Sequence, residues 1–246
     1  MKRKGQHFLN DCAILDRIAR YADLKASDVV LEIGPGTGFL TEVLASRSKQ
    51  VYAIEVDPEL ASGLKGRFPN VDIIQGDALK LDLPGYNKIV SNLPYQISTK
   101  ITLRLLPRPF DLAVLMYQKE FAMKMVAGPG SPDYGRLSVI TAHYARAEIM
   151  ESVPRSAFRP EPHVDSAIVR LWPRHDRVGV DDDFFMRLVT ALFGNRRKKV
   201  KRALAAAGIS REVQSGLDPS LLEERPEKLS AGDIEGLARD ISLLEA

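Results

Sequence analysis

A short apolar run that ends in a glycine turn constrains this chain more than any other feature. Val29, Val30, Leu31 and Ile33 form the run, and Gly34-Pro35-Gly36-Thr37-Gly38 follows at once. The run predicts a buried strand, and Thr37 to Arg47 predicts the helix after it. Three glycines in five residues allow a tight turn and let backbone lie close against a ligand, because no Cβ intervenes. Taken alone, such a turn also fits any strand-to-helix connection. The next strand, Val51 to Ile54, tips the balance: it ends in Glu55, and Asp57-Pro58 opens another helix. An acidic side chain there can accept both hydroxyls of a ribose lying across the sheet edge. The glycine spacing is G-x-G-x-G, not the dinucleotide G-x-G-x-x-G, and no basic residue follows to meet a diphosphate. The pattern favours a nucleoside ligand without a pyrophosphate, such as S-adenosylmethionine, over NAD.

The alternation continues downstream. Val71 to Ile74 delivers Gly76-Asp77, Lys88 to Ser91 ends on Asn92-Leu93-Pro94-Tyr95, and Asp111 to Tyr117 is a strongly apolar fifth strand. Two late strands are expected at Glu148 to Val153 and Ser166 to Leu171. Strands alternating with helices over short connections indicate an α/β fold with a parallel sheet covered on both faces. Ligands in such sheets lie outside the carboxyl ends of the strands. Gly34 and Gly36, Glu55, Asp77 and Asn92 therefore converge on one crevice, which ordinary strand-end turns would not produce. After Trp172-Pro173 the pattern turns helical, with Phe185, Leu188, Val189 and Leu192 on one face. The expected organisation is a catalytic domain over residues 1–175 and a small all-α domain over 176–246.

At 246 residues the chain can bury a sizeable core and carry an appendage. The net charge of +3 is mild, but its distribution is uneven. Lys2-Arg3-Lys4 forms one basic group, and Arg196, Arg197, Lys198, Lys199, Lys201 and Arg202 form another. A helix is expected from Arg196 to Ala207, with no acidic residue on it, so a polyanionic partner fits better than a merely solvated face. Cys12 is the only cysteine, which excludes an internal disulfide and a cysteine zinc cluster. His7, His143, His163 and His175 are scattered, so no metal is expected. No apolar run of transmembrane length and no signal-peptide core is visible, so a cytoplasmic protein without membrane association is the expectation.

Asn92-Leu93-Pro94-Tyr95 points to a reaction. An exocyclic amine on a base is a poor nucleophile, because its lone pair is delocalised into the ring. Hydrogen bonds from the amine to the Asn92 side-chain oxygen and the Leu93 carbonyl would draw the nitrogen toward a tetrahedral shape. Its lone pair could then meet an electrophilic methyl, while Tyr95 offers a ring for the base to stack on.

Four motifs in order now resemble one family. Glu32 to Gly38, Asn92 to Tyr95, Gly5-Gln6-His7-Phe8-Leu9, and Phe158-Arg159-Pro160-Glu161-Pro162-His163-Val164-Asp165-Ser166 together look like the ribosomal RNA adenine N6,N6-dimethyltransferases. The small-subunit branch is the nearest match, over residues 5 to about 240. The resemblance implies a class I, Rossmann-like methyltransferase fold with a seven-stranded, mostly parallel sheet and a small helical C-terminal domain. It implies S-adenosylmethionine as cofactor and transfer of four methyl groups to two adjacent adenosines near the 3′ end of small-subunit rRNA. The partner implied is the pre-ribosomal small subunit, met by a monomer. Cofactor contacts carry over to Gln6, His7, Leu9, Gly34, Glu55, Asp77 and Asn92. Many members have asparagine where His7 stands, so a main-chain role is implied there more than a side-chain one. Phe158 would flank the target base opposite Tyr95, although by sequence it equally fits a core aromatic. A large-subunit adenine methyltransferase shares the first motifs, and a non-catalytic RNA-binding assembly or transcription factor could use the same fold. The basic stretch and Arg225-Pro226-Glu227-Lys228-Leu229 favour the small-subunit branch over the first. The intact Gly34, Glu55, Asp77 and Asn92 argue against the second.

Overall fold

A computed structural model describes residues 7–245. The elements in chain order are β1 (Phe8–Leu9), α1 (Cys12–Tyr21), β2 (Val29–Ile33), α2 (Phe39–Ala45), β3 (Gln50–Glu55), α3 (Pro58–Leu64), β4 (Val71–Gln75) and β5 (Lys88–Asn92). Then come α4 (Ser98–Leu105), β6 (Leu112–Gln118), α5 (Lys119–Val126), α6 (Arg136–Tyr144), β7 (Ala145–Val153), β8 (Phe158–Arg159) and β9 (Ser166–Pro173). The chain closes with α7 (Asp182–Gly194), α8 (Val200–Ala206), α9 (Arg211–Ser215), α10 (Pro219–Glu223) and α11 (Ala231–Leu244).

The strands form a seven-stranded sheet in the order β4-β3-β2-β5-β6-β9-β7. The pairs β3–β4, β2–β3, β2–β5 and β5–β6 are parallel, and β6–β9 is antiparallel. Strand order reverses between β2 and β5, so the crevice expected at a topological switch point opens beside Gly34 and Asn92. The buried strands carry near-continuous apolar runs, as sheets covered on both faces require. Local chemistry sets the helix starts. Asp11 caps α1 by accepting from the Ala13 and Ile14 amides, and Asp57 caps α3 with Pro58 at the first helical position.

The molecule divides into two compact units. Among the described residues the first comprises 7–122 and 147–173, and the second 123–146 and 174–245. A single cut at 175 does not anticipate that 123–146 belongs with the C-terminal helices. The reason is chemical. The Tyr134 hydroxyl on this segment donates to the Leu229 carbonyl at 2.7 Å, and His143 on α6 lies 2.9 Å from Glu235 of α11. His143 is fully buried and stacked on Phe185 of α7, with ring centroids 3.9 Å apart. Arg174 reaches the same Glu235 oxygen at 2.8 Å, and the Arg177 guanidinium lies 3.5 Å from His143 Nε2. Burial pushes the His143 pKa down against the upward pull of Glu235.

Candidate active site

The ends of β2, β3, β4 and β5 deliver Gly34, Glu55, Asp77 and Asn92 to a cavity of about 350 Å³ in the first unit. Gly34 and Gly36 have φ of +73° and +58°, a region open to glycine at little cost. They also lie where a Cβ would collide: 2.9 Å from Pro94 at Gly34, and 2.8 Å from the Phe8 ring at Gly36. The glycine turn thus packs directly on the Asn-Leu-Pro-Tyr turn. Glu55 ties the two neighbouring turns together. Its carboxylate accepts from the Gly36 amide at 3.1 Å and the Asp57 amide at 2.9 Å. A carboxylate has about four acceptor positions, so lone pairs remain for a ribose. Asp77 is held by the Leu79 amide at 2.9 Å and lines the same cavity.

Asn92 closes β5 with its side-chain oxygen buried and without a hydrogen-bond partner among the described residues. Tyr95 sits beside it, its hydroxyl 2.5 Å from the Ser166 hydroxyl. Burial raises the Tyr95 pKa, with Ser166 pulling the other way. His7 and Leu9 also line the cavity, and His7 Nδ1 lies 2.8 Å from the Pro160 carbonyl. Gln6 falls outside the described residues.

Two sequence expectations need correction. Phe158 does not line the cavity; it is fully buried in the core with Leu9, Val114 and Met116. It pairs with Leu9 across the β1–β8 ribbon, which turns its ring inward. The basic stretch is also not one helix: α8 begins only at Val200, and Lys199 is its N-cap residue. Nor is its charge unanswered. Arg196 binds Glu227 at 2.9 Å, Lys199 binds Glu223 at 2.5 Å, and Lys201 also meets Glu223. These lysines hold the Glu223 carboxyl down at about 2. Arg197, Lys198 and Arg202 remain exposed, without a side-chain partner among the described residues.

Glu32 is the cavity residue that sequence reasoning left without a role. It is 1% exposed, and one of its oxygens has no partner among the described residues. Burial, with Glu55 adding to it against an opposing pull from Thr41, pushes its pKa up to about 8. The signal was present as a carboxylate set inside the run Val-Val-Leu-Glu-Ile.

This sheet order and strand-end cavity define a class I, Rossmann-like methyltransferase. A profile of the ribosomal RNA adenine dimethylases matches residues 1–234, and the chain belongs to that family. The probable ribosomal RNA small subunit methyltransferase A of Methanosarcina mazei is 46% identical over 246 residues, covering 96% of this chain and 91% of its own. Its namesake from Pyrococcus abyssi is 47% identical over 204 residues, covering 82% and 74%. Among solved structures, a dimethyladenosine transferase from Plasmodium falciparum superposes with a TM-score of 0.87 at 30% identity, over 97% of this chain and 98% of its own. The 23S rRNA methyltransferase ErmE gives 0.68 at 31% identity, over 94% and 99%. Among the described residues no helix is long and apolar enough to cross a membrane.

Proposed function

We propose that the cavity binds S-adenosylmethionine and that the protein dimethylates N6 of two adjacent adenosines near the 3′ end of small-subunit rRNA. The observation that carries this reading is the buried, unanswered side-chain oxygen of Asn92. An acceptor left unpaired in the folded protein costs roughly 1–3 kcal/mol, so it suits a donor that arrives with a ligand. An adenine N6 amine is such a donor. The residues fit the cofactor too: Gly34 and Gly36 line the cavity, and Glu55 keeps free lone pairs beside them. Asp77 would accept from the cofactor's adenine amine, and His7 and Leu9 line the same cavity.

The bound cofactor supplies an electrophilic methyl on a sulfonium. Asn92 orients the N6 amine and draws its lone pair out of conjugation, and Tyr95 stacks on the base. Held by Gly34, Glu55 and Asp77, the cofactor would supply the methyl directly to the amine and be left as the neutral thioether. The methylated amine loses its proton readily, so no strong general base is needed, and most of the rate comes from positioning. Dimethylation requires room for one methyl on N6 while the second arrives. The second unit would hold the RNA, with Arg197, Lys198 and Arg202 as its free cations. A cytoplasmic monomer acting on the assembling small subunit fits this reading.

The relatives named ribosomal RNA small subunit methyltransferase A, at 46% and 47% identity against 31% for the 23S enzyme, favour the small-subunit target. Incubation of the protein with labelled cofactor and either small-subunit particles or large-subunit rRNA tests it. Label is expected on the small subunit, and label confined to large-subunit rRNA overturns the assignment.

A further inference from the structure

The stretch that carries Asp77 is built unlike its neighbours. β2, β3 and β5 lead on to the helices α2, α3 and α4, but after β4 the residues 76–87 form neither helix nor strand. Asp77 therefore has no helix behind it to fix its carboxylate at the cavity. A tight turn does part of that work. The Asp77 carbonyl accepts from the Lys80 and Leu81 amides at 2.8 and 3.0 Å, and its side chain accepts from the Leu79 amide at 2.9 Å. Leu81 folds back so closely that a Cβ on Gly76 would lie 2.6 Å from its side chain. So short a turn leaves its later carbonyls to be met from outside.

Arg104 meets two of them from α4. One guanidinium nitrogen donates to the Ala78 carbonyl at 2.8 Å, and the other donates to the Leu81 carbonyl at 2.5 Å. The fork thus spans the turn from the residue after Asp77 to the leucine that closes it. Its base is firm. Ile101, Thr102 and Leu105 of α4 are buried, and the Thr102 hydroxyl donates to the Ser98 carbonyl at 2.7 Å beside Tyr117. We infer that Arg104 is a positioning residue for the cofactor: it holds the Asp77 turn so that its carboxylate meets the 6-amine of the cofactor's adenine. The inference rests on the reading of Asp77 as the acceptor of that amine. Arginine suits the role because its planar fork reaches two carbonyls at a fixed spacing, where lysine offers a single point of charge. α4 also follows the turn that carries Asn92 and Tyr95. One helix then steadies both the turn that takes the substrate's amine and the turn that takes the cofactor's.

The test is calorimetry on the full chain with two ligands, S-adenosylhomocysteine and its analogue with hydrogen in place of the 6-amine. The parental protein should bind the first about 10- to 100-fold more tightly, as loss of a hydrogen bond to a charged group predicts. Asp77→Ala should remove that preference. Arg104→Ala should shrink it by weakening S-adenosylhomocysteine and sparing the analogue, and Arg104→Lys should give an intermediate ratio. In methyl transfer, KM for the cofactor should rise more than kcat falls. If Arg104→Ala lowers the melting temperature, the milder Arg104→Lys decides, since it keeps length and charge. Equal weakening of both ligands in these variants would mean that Arg104 merely supports the cavity, and the inference falls. An unchanged ratio overturns it as well, with the Asp77 reading left standing. If neither the parental protein nor Asp77→Ala distinguishes the two ligands, the reading of Asp77 fails and takes the inference with it.

Discussion

Two buried polar clusters in this molecule contain similar groups and are finished in opposite ways. In the second unit, His143 gives its Nδ1 side to Glu235 and its Nε2 side to Arg177, while Glu235 also takes Arg174. A neutral imidazole has one donor and one acceptor, and here both face a partner. In the first unit, the carboxyl of Glu32 and the amide oxygen of Asn92 are equally cut off from water, yet each keeps an atom with no partner among the described residues. The sealed cluster stabilises the packing of α6, α7 and α11. The open one stores a cost that a ligand can relieve. Unanswered polar atoms that border a cavity, as those of Glu32 and Asn92 do, rather than charge or burial alone, distinguish a site from a staple.

The sharpest break of this comparison pairs Asn92→Ala with His143→Ala. Asn92→Ala should lower kcat for methyl transfer by about 10²- to 10³-fold, as loss of one preorganised hydrogen bond does, with RNA affinity retained. Its chemical denaturation midpoint should stay level or rise, since an unpaired oxygen is removed. His143→Ala should do the reverse, costing about 3 kcal/mol of stability through a cavity and a broken buried network, with transfer per folded molecule intact. A stability loss in Asn92→Ala as large as in His143→Ala would erase the distinction.

Glu55→Ala probes the cofactor side of the open cluster. It should weaken S-adenosylmethionine binding by about 1–3 kcal/mol in calorimetry, because the ribose hydroxyls lose a charged acceptor. Unchanged affinity with the fold intact would remove Glu55 from the ribose.

The two clusters also predict opposite pH slopes for the ligand-free protein. The Glu32 carboxyl is raised from 4.5 to about 8 in the fold, so the native state binds the extra proton between those values. Its contribution is therefore present below pH 4.5 and is lost as the pH rises toward 8. His143 is lowered from 6.5, so the unfolded state takes its proton first and stability falls as the medium turns acid below that value. Melting temperatures across pH should show Glu32→Gln flattening the alkaline decline and leaving the acid one. If the alkaline decline persists in that variant, Glu32 is not its source.

The smallest effect is expected at the basic stretch, where three of the six cations already pair with two carboxylates. Arg197, Lys198 and Arg202 replaced together by alanine should flatten the salt dependence of RNA binding by ~0.7 for each single-strand phosphate that is no longer neutralised. The same change at Arg196, Lys199 and Lys201 should flatten it less, because those cations are bound to Glu227 and Glu223. Equal slopes for both triple variants would mean that the carboxylates do not withhold them.

What the sequence made legible follows the range of the interactions involved. Strand periodicity and the residues at strand ends are local, and the crevice at Gly34, Glu55, Asp77 and Asn92 could be read because strand direction alone brings them together. The extent of the basic helix could not, since the partners Glu223 and Glu227 come from more than twenty residues downstream. Phe158 failed for a related reason: which way its ring turns depends on pairing with Leu9, about 150 residues earlier. The place of residues 123–146 likewise rests on long-range hydrogen bonds such as that of Tyr134 with Leu229. No composition or periodicity marks such pairs.

The most direct measurement is nucleoside mass spectrometry of small-subunit rRNA after incubation with the protein and labelled S-adenosylmethionine, with Asn92→Ala run in parallel. The expected result is N6,N6-dimethyladenosine at two adjacent positions near the 3′ end, and little or none with the variant. Methyl groups on a ribose oxygen, on another ring atom or on another base would contradict it, as would full dimethylation by Asn92→Ala.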